Sequence, residues 1–353
     1  MEHKKKILLF NLAVDEDDPI LAFSVTLIAR LAREAELVHV ITVRAGRFRL
    51  PSNVTVCSVG RESDRGRIAS IFSFYGHLLH AIKKERFDIC FAHMNPLFVA
   101  LAGPVCFIQR IRIVLWYAHR HQGIIARIAH FFSWRVLTTN RGGYSLFSDK
   151  VVATGHMIDT DFFKPVIGLK KSASPLFVSV GRVAPIKDLM TFIRAAGILR
   201  DNGHQFRCVC VGPVLPHDEV YYSALQAEVA RLSLSEYFSF AGSVMRENLP
   251  FEYGRATAHV NLCPYGALDK AVLEAMACGV PSFFANDEFV SVAGRFSSGL
   301  FFKYGDPRDL ARLLEKFLLS LAQDNLVRNE LRAMVVRRHS LNSFAHTFME
   351  LIT

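Results

Sequence analysis

The chain has 353 residues, 51% of them hydrophobic, and a formal net charge of +10. That length suits two domains of roughly 150 to 180 residues each, and that composition excludes a disordered chain. No apolar run reaches the ~18 residues of a membrane span, and the opening MEHKKKILLFNLAVDEDD has only a short apolar stretch and no small-residue cleavage site, so it is expected to be a first strand rather than a signal peptide.

Short β-rich apolar runs alternate with helix-period segments from end to end, the pattern of β/α units stacked around parallel sheets. In the front half, strands are expected at KILLFNL, LVHVITV, VTVCSV, DICFAH, RIVLWYAH, RVLTT and KVVATG. The turn after the first strand, NLAVDEDDPILAF, contains no glycine, and no GxGxxG follows a later strand, which sets a dinucleotide dehydrogenase aside. His93 ends DICFAH and His119 ends RIVLWYAH, both at a carboxyl edge; His93 also suits capping of the NPLF helix start. Residues 123–137, GIIARIAHFFSWRVL, mix Phe131, Phe132 and Trp134 with Arg127, His130 and Arg135. They read either as a segment that dips into a membrane surface or as a core-facing helix running into a strand. His156 and Asp159, in GHMID, suit a turn or an interdomain contact.

A stretch rich in Pro, Lys and Ser near residues 162–175 reads as a linker, and beyond it strands are expected at LFVSVG, RCVCVG, YFSFAG, AHVNLC, PSFFA and GLFF. The fold class is therefore α/β: two Rossmann-like, doubly wound domains, residues 1–165 and 166–337, facing each other across a cleft. Ligands of such sheets sit beyond the carboxyl ends of the strands.

Residues 1–165 hold 22 Lys and Arg against 14 Asp and Glu; the remainder is nearly balanced, 20 against 18. A basic front half suits an acidic partner, whether an anionic membrane surface or a phosphorylated acceptor. Nucleic acid is not expected, because no helix-turn-helix, RNA-binding or zinc-finger signature accompanies the charge. The seven cysteines form no CxxC and no zinc spacing, so a reduced, cytoplasmic protein is expected; Cys208 and Cys210 share one face of a buried strand.

The stretch VGRVAPIKDLM, residues 180–190, carries Arg182 and Lys187 on a strand-to-helix turn, with Asp188 as the expected N-cap of the helix that follows. Two cations beside a helix N-terminus suit a diphosphate; two solvated loop cations are the plainer reading. Residues 264–285, PYGALDKAVLEAMACGVPSFFA, read as loop, helix capped by Asp269, stop at Gly279, then strand. Glu274 either pairs with Lys270 one turn back or accepts hydrogen bonds from the adjacent hydroxyls of a ribose.

Taken together, VGRVAPIKD, VCVG, FAGSV, LDKAVLEAMACGVP and GLFFKYGDPRDLARLL resemble, in order and spacing, the motifs of retaining GT-B glycosyltransferases, glycosyltransferase family 4. In the front half FAHMNPLF, VLWYAHR and VVATGHMIDTDFF resemble that family more weakly, and RRHSLNSFAHTFMELIT resembles its last helix, so residues 338–353 are expected to return to the front, acceptor-side domain. The resemblance implies a metal-independent hexosyltransferase with no cofactor. Its partners would be a nucleoside diphosphate sugar as donor and a glycan or lipid-linked acceptor, on the cytoplasmic side and peripheral to the inner membrane surface.

By the same resemblance, the donor diphosphate lies against Arg182 and Lys187, with Gly181 allowing close backbone approach. Glu274 takes the ribose, Gly242 borders the base, and His119 contacts the donor sugar or the acceptor. One departure stands out: Gly266 occupies the position, eight residues before Glu274, where the family usually carries an acid. Asp269 either substitutes for that acid or only caps the helix, and Lys270 either adds a third positive charge beside the leaving phosphate or pairs with Glu274. Asp17 and Asp18 either line the acceptor pocket or form a solvated loop. Two rival readings follow: an epimerase of the same fold, which needs no acceptor, and a non-catalytic scaffold, suggested by the missing acid.

Overall fold

The computed structural model describes residues 4–18, 21–119, 122–146, 148–169, 172, 174–264, 266, 268–320 and 324–353. It divides into two compact units, Met1–Asp159 with Leu341–Thr353, and Thr160–Ser340.

The first unit holds seven parallel strands: β1 (Lys6–Val14), β2 (Leu37–Ala45), β3 (Val54–Ser58), β4 (Ile89–His93), β5 (Arg112–Trp116), β6 (Arg135–Thr138) and β7 (Val151–Ala153). They pair in the order β3-β2-β1-β4-β5-β6-β7. β4 is buried at every position and β1 at most, which is why both read as unbroken apolar runs rather than alternating ones. The helices are α1 (Phe23–Ala32), α2 (Arg67–Lys84), α3 (Pro96–Ile108) and α4 (Ile124–Phe132). α1 buries Val25, Leu27, Ile28 and Leu31, a helical stripe. Asn95 caps α3 by accepting from the Leu97 amide at 3.0 Å, with Pro96 at the first helical position. Phe10, Phe74 and Phe98 meet with ring centroids 5.3 to 5.7 Å apart under the centre of the sheet.

The second unit holds β8 (Leu176–Val180), β9 (Arg207–Val211), β10 (Phe238–Gly242), β11 (Ala258–Asn261) and β12 (Ser282–Phe284), all parallel, in the order β10-β9-β8-β11-β12. Its helices are α5 (Leu189–Asp201), α6 (Glu219–Arg231), α7 (Leu249–Arg255), α8 (Lys270–Ala277), α9 (Val290–Ala293), α10 (Ser297–Leu300), α11 (Pro307–Leu319) and α12 (Asp324–His339). Cys208 and Cys210 are buried in β9 as free thiols, and burial pushes both thiols upward, away from ionisation. The last helix, α13 (Leu341–Ile352), belongs to the first unit, where the Phe348 ring lies 4.8 Å from Phe91 and Arg30 Nε donates to Asn342 Oδ1 at 2.7 Å.

Three local expectations need correction. RIVLWYAH stops being strand at Trp116, so His119 lies three residues beyond β5, joined to Tyr144 by an isolated bridge. GLFF forms no strand: α10 takes up its first residues, leaving one bridge between Phe284 and Phe301. The unit boundary falls ahead of the Pro- and Lys-rich stretch because Arg332 donates to the carbonyl of Phe163 at 3.2 Å and Arg246 lies 4.4 Å over the Phe162 ring, holding this chain entry in the second unit.

Candidate functional site

In the second unit the chain runs from β8 outward to β9 and β10, then crosses to β11 and β12 on the other side. The switch point therefore lies between β8 and β11, where the crevice at the carboxyl ends is the natural ligand site of such a sheet. Three strands end here in glycines with left-handed backbone: Gly181 after β8 (φ 145°), Gly212 after β9 (φ 149°) and Gly242 closing β10 (φ 72°). At Gly212 the need for glycine is also steric, and at Gly181 a side chain would crowd Lys187. A Cβ on Gly212 would sit 2.0 Å from the Gly181 carbonyl oxygen, and one on Gly181 would sit 3.1 Å from Lys187 Cε. Backbone bonds from Gly181 N to Val211 O (2.9 Å) and Gly212 N to Gly242 O (2.8 Å) lock this edge together.

Lys187 ends a 3₁₀ turn, Pro185–Lys187, that brings it back beside Gly181. Its ammonium pairs with the Asp269 carboxylate, whose Oδ2 also accepts from Asn261 Nδ2 at 2.9 Å and Cys263 Sγ at 3.3 Å. The other oxygen, Oδ1, accepts from the Ala271 amide at 3.1 Å and so caps α8. Burial alone would push the Asp269 carboxyl up, but the Lys187 charge and these hydrogen bonds outweigh it and hold the carboxyl far below its ordinary value. Burial likewise works against the Lys187 ammonium, and Asp269 with Cys263 overrides it, leaving the ammonium raised. Burial, followed by the neighbouring carboxylate, lifts the Cys263 thiol to about 11.

A second cluster follows on α8. Tyr253 Oη donates to Glu274 Oε2 at 3.1 Å. Burial raises the Glu274 carboxyl, opposed by the Lys270 charge and the tyrosine. Lys270 falls to about 8, chiefly through burial and also through Arg246, with Glu274 pulling the other way. The i, i+4 pair thus interacts, and Glu274 is already engaged by a hydroxyl. Arg182 belongs to neither cluster: its exposed guanidinium lies 3.8 Å, at Nε, from Asp218 Oδ2, which His217 Nε2 approaches to 3.4 Å. Gly266 has φ 113°, and no atom lies within 4 Å of where its Cβ would be, so an acid there would meet backbone strain rather than crowding. Asp188 occupies the expected N-cap position of α5 in a left-handed conformation (φ 43°); it makes no regular side-chain capping bond, though the Thr191 amide and hydroxyl stabilise its carboxylate against burial.

The remaining candidates lie in the first unit. His119 is exposed and stacks on Tyr117, centroids 5.5 Å apart. His93 is buried at the end of β4, stacked on Trp116 at 5.2 Å, and Asn95 rather than His93 caps the next helix. His156 is buried, with its ring 5.7 Å from Trp116, and Asp159 is the last residue before the unit boundary. Asp17 stays exposed in the first turn, as a solvated loop has it, whereas Asp18 is buried. Arg47 holds Asp17 through two hydrogen bonds, at 2.9 and 2.6 Å, while the buried Asp18 pairs with Arg44 and accepts from the Leu21 amide at 2.8 Å.

Sequence reading passed over Gly212, Asn261, Cys263, Tyr253 and Arg246. Gly212 was within reach, since it closes the apolar run RCVCV at the carboxyl edge, and Asn261 was visible as the one amide inside AHVNLC. Tyr253 and Arg246 were not, because each comes from an element whose packing the sequence leaves open.

Residues 161–333 match the family model for glycosyl transferases group 1. Solved structures that resemble the chain include Anabaena Alr3699/HepE in complex with UDP and glucose (15% identity, 99% of each chain covered, TM-score 0.73). Sucrose-phosphate synthase from Thermosynechococcus elongatus is similar over 99% of this chain and 98% of its own, with 16% identity and a TM-score of 0.74. The lipopolysaccharide outer core galactosyltransferase WaaB, in its apo form, is 12% identical over 98% of this chain and 99% of its own, with a TM-score of 0.70. A comparison with curated protein sequences gives no match. The fold is that of GT-B proteins, two Rossmann-like parallel-sheet units, and the match of residues 161–333 supports a glycosyltransferase.

Proposed function

We propose that the protein transfers a hexosyl unit from a nucleoside diphosphate sugar to an acceptor hydroxyl on a glycan or lipid-linked molecule, retaining anomeric configuration and using no metal, as in glycosyltransferase family 4. The observation that carries this reading is Lys187 standing at the switch point beside the glycine edge, inside the segment that matches glycosyl transferases group 1. HepE structures that hold UDP and UDP-glucose support a nucleotide-sugar donor.

In this reading the donor diphosphate approaches the Gly181–Gly212 edge and competes with Asp269 for the Lys187 ammonium. Arg182, exposed on the same strand-to-helix turn, adds the second cation. Both neutralise charge that grows on the diphosphate as the glycosidic bond breaks, so they act more on the transition state than on the bound donor. Glu274 exchanges its tyrosine bond for the ribose hydroxyls, Lys270 adds charge while protonated, Gly242 borders the base, and His119 contacts sugar or acceptor. The incoming hydroxyl attacks from the face the diphosphate leaves and gives its proton to a phosphate oxygen.

One observation favours a second reading. Asp269 already neutralises Lys187, and Gly266 replaces the family's usual acid, as a non-catalytic scaffold would allow. Screening UDP-, GDP- and ADP-sugars for thermal stabilisation separates the two, since a ligand that binds only the folded state raises the melting temperature by mass action. Donor incubated without acceptor then tests the epimerase, which alone would isomerise the sugar.

A further inference from the structure

Near the carboxyl edge of the first unit's sheet, Arg44 pairs with Asp18 and Arg47 with Asp17. At the opposite, amino edge, Arg112 opens β5, Arg135 opens β6, and Lys150 directly precedes β7. These three strands are neighbours in the parallel sheet, so the three cations share one edge. Arg110 lies in the turn that leads into β5. Among the described residues none of the four enters an ion pair, although Asp149 adjoins Lys150 in sequence.

The cations are nonetheless held in place. The guanidinium groups of Arg112 and Arg135 both lie over the Trp134 ring, 4.8 and 4.7 Å from its centroid, and Lys150 Nζ donates to the carbonyls of Phe131 (3.2 Å) and His130 (3.4 Å) at the end of α4. Together with Arg110, Phe107 and Phe131 they line a cavity of about 500 Å³.

Around this cavity the apolar surface is inverted. α4 buries its small Ala126 and Ala129 and exposes Ile124, Ile128 and Phe131 along one stripe. The last turn of α3 exposes Phe107 and Ile108, at 78% and 75%. α3 and α4 lie close because Gly103 has no Cβ to strike the Phe132 ring, which would be 2.4 Å away. A soluble anion would use the four cations but leave these large side chains in water, whereas an acidic protein would have to match a dispersed apolar rim. An anionic bilayer uses both, headgroup phosphates against the cations and the interfacial layer for the apolar side chains.

We propose that the amino edge of the first unit's sheet is a docking surface for anionic phospholipid. One headgroup phosphate enters the cavity among Arg110, Arg112, Arg135 and Lys150, while Phe107, Ile108, Ile124 and Phe131 enter the interfacial layer. The inference is independent of the donor site, which belongs to the other unit. Nucleotide-sugar binding and vesicle binding are separate readouts, so failure of one leaves the other standing.

The test is co-sedimentation of the full chain with phosphatidylcholine vesicles, with and without phosphatidylglycerol, at low and high salt. Binding is expected only with phosphatidylglycerol and weakened by salt. The double variant Arg135→Gln, Lys150→Gln should partition about 30-fold more weakly, each lost charge near the membrane removing about fivefold. Phe107→Ser with Phe131→Ser should weaken binding to the same vesicles while leaving its salt dependence in place. Equal binding to both vesicle types, no binding, or a charge variant that binds like the parent overturns the proposal, as does binding to a nucleic-acid duplex with none to vesicles. Should a variant fail to fold, the parent chain still decides. Of its two tryptophans Trp116 is buried and Trp134 lines the cavity, so lipid spin-labelled at the headgroup should quench Trp134, and unchanged emission refutes the docking.

Discussion

The two sheets share one winding, a central strand with neighbours added first on one side and then on the other, yet their carboxyl edges carry opposite chemistry. In the first unit the turn after β1 is acidic, and Arg44 and Arg47 pair with its Asp18 and Asp17. Gly46 lets the chain close on that turn, where Asp15 Oδ1 accepts from the Arg47 amide at 3.2 Å: a Cβ on Gly46 would sit 2.3 Å from the Asp15 carboxyl carbon. In the second unit β8, β9 and β10 end in glycines packed backbone to backbone, with a lysine folded over them. The comparison teaches that topology chooses where a ligand can sit, while the residues that end the strands choose which ligand.

The largest expected effect comes from breaking the pair at the second edge. Asp269→Asn keeps the α8 cap through its amide oxygen but leaves Lys187 without a counter-ion in a partly buried place, and should cost about 3 to 5 kcal/mol of stability. Denaturant titration measures the loss. Saturating nucleotide sugar should recover more stability in the variant than in the parent, since the diphosphate then has no competitor for Lys187. The matching break in the first unit, Arg44→Ala, takes the guanidinium from the buried Asp18 carboxylate but leaves it the Leu21 amide, and should cost about 1 to 3 kcal/mol.

Next in size, Lys187→Ala should lower turnover about 100-fold, as loss of a preorganised electrostatic donor does, with a smaller change in KM for the donor. A melting curve shows whether the variant remains folded. Gly212→Ala should destabilise by about 1 to 3 kcal/mol, because it forces both a strained φ and a backbone collision, whereas Gly242→Ala meets only the strain.

The smallest effect is a pH dependence. Lys270 titrates near 8, so its ammonium is present below that pH and lost above it. Donor kcat/KM should therefore fall a few-fold as pH rises through about 8, and Lys270→Met should flatten that limb. A parent profile without the fall rejects the role given to Lys270.

The seven strands of the first unit and the five of the second were legible as short runs rich in β-branched and aromatic residues, continuous where the strand is buried, as in β1 and β4. GLFF failed since a short apolar run also suits the turn of helix that α10 forms. Lys187 and Asp269 were each visible, but not as a pair: 82 residues separate them, and their meeting depends on how the loop after β11 returns to the edge of β8. The same reason hid Tyr253 beside Glu274. His119 reads as part of its strand because Tyr117 and Ala118 prolong the apolar run; in the structure the ladder thins after Trp116 to the Tyr117 amide bond to Leu137 and the bridge from His119 to Tyr144.

The most direct test of the central claim, that the carboxyl edge of the second unit grips a diphosphate through Lys187, is the melting temperature of the parent chain and of Lys187→Ala with UDP-, GDP- and ADP-sugars. At least one sugar nucleotide should raise the parent's melting temperature and have little effect on the variant. No rise with any of them, or an equal rise in both proteins, would contradict it.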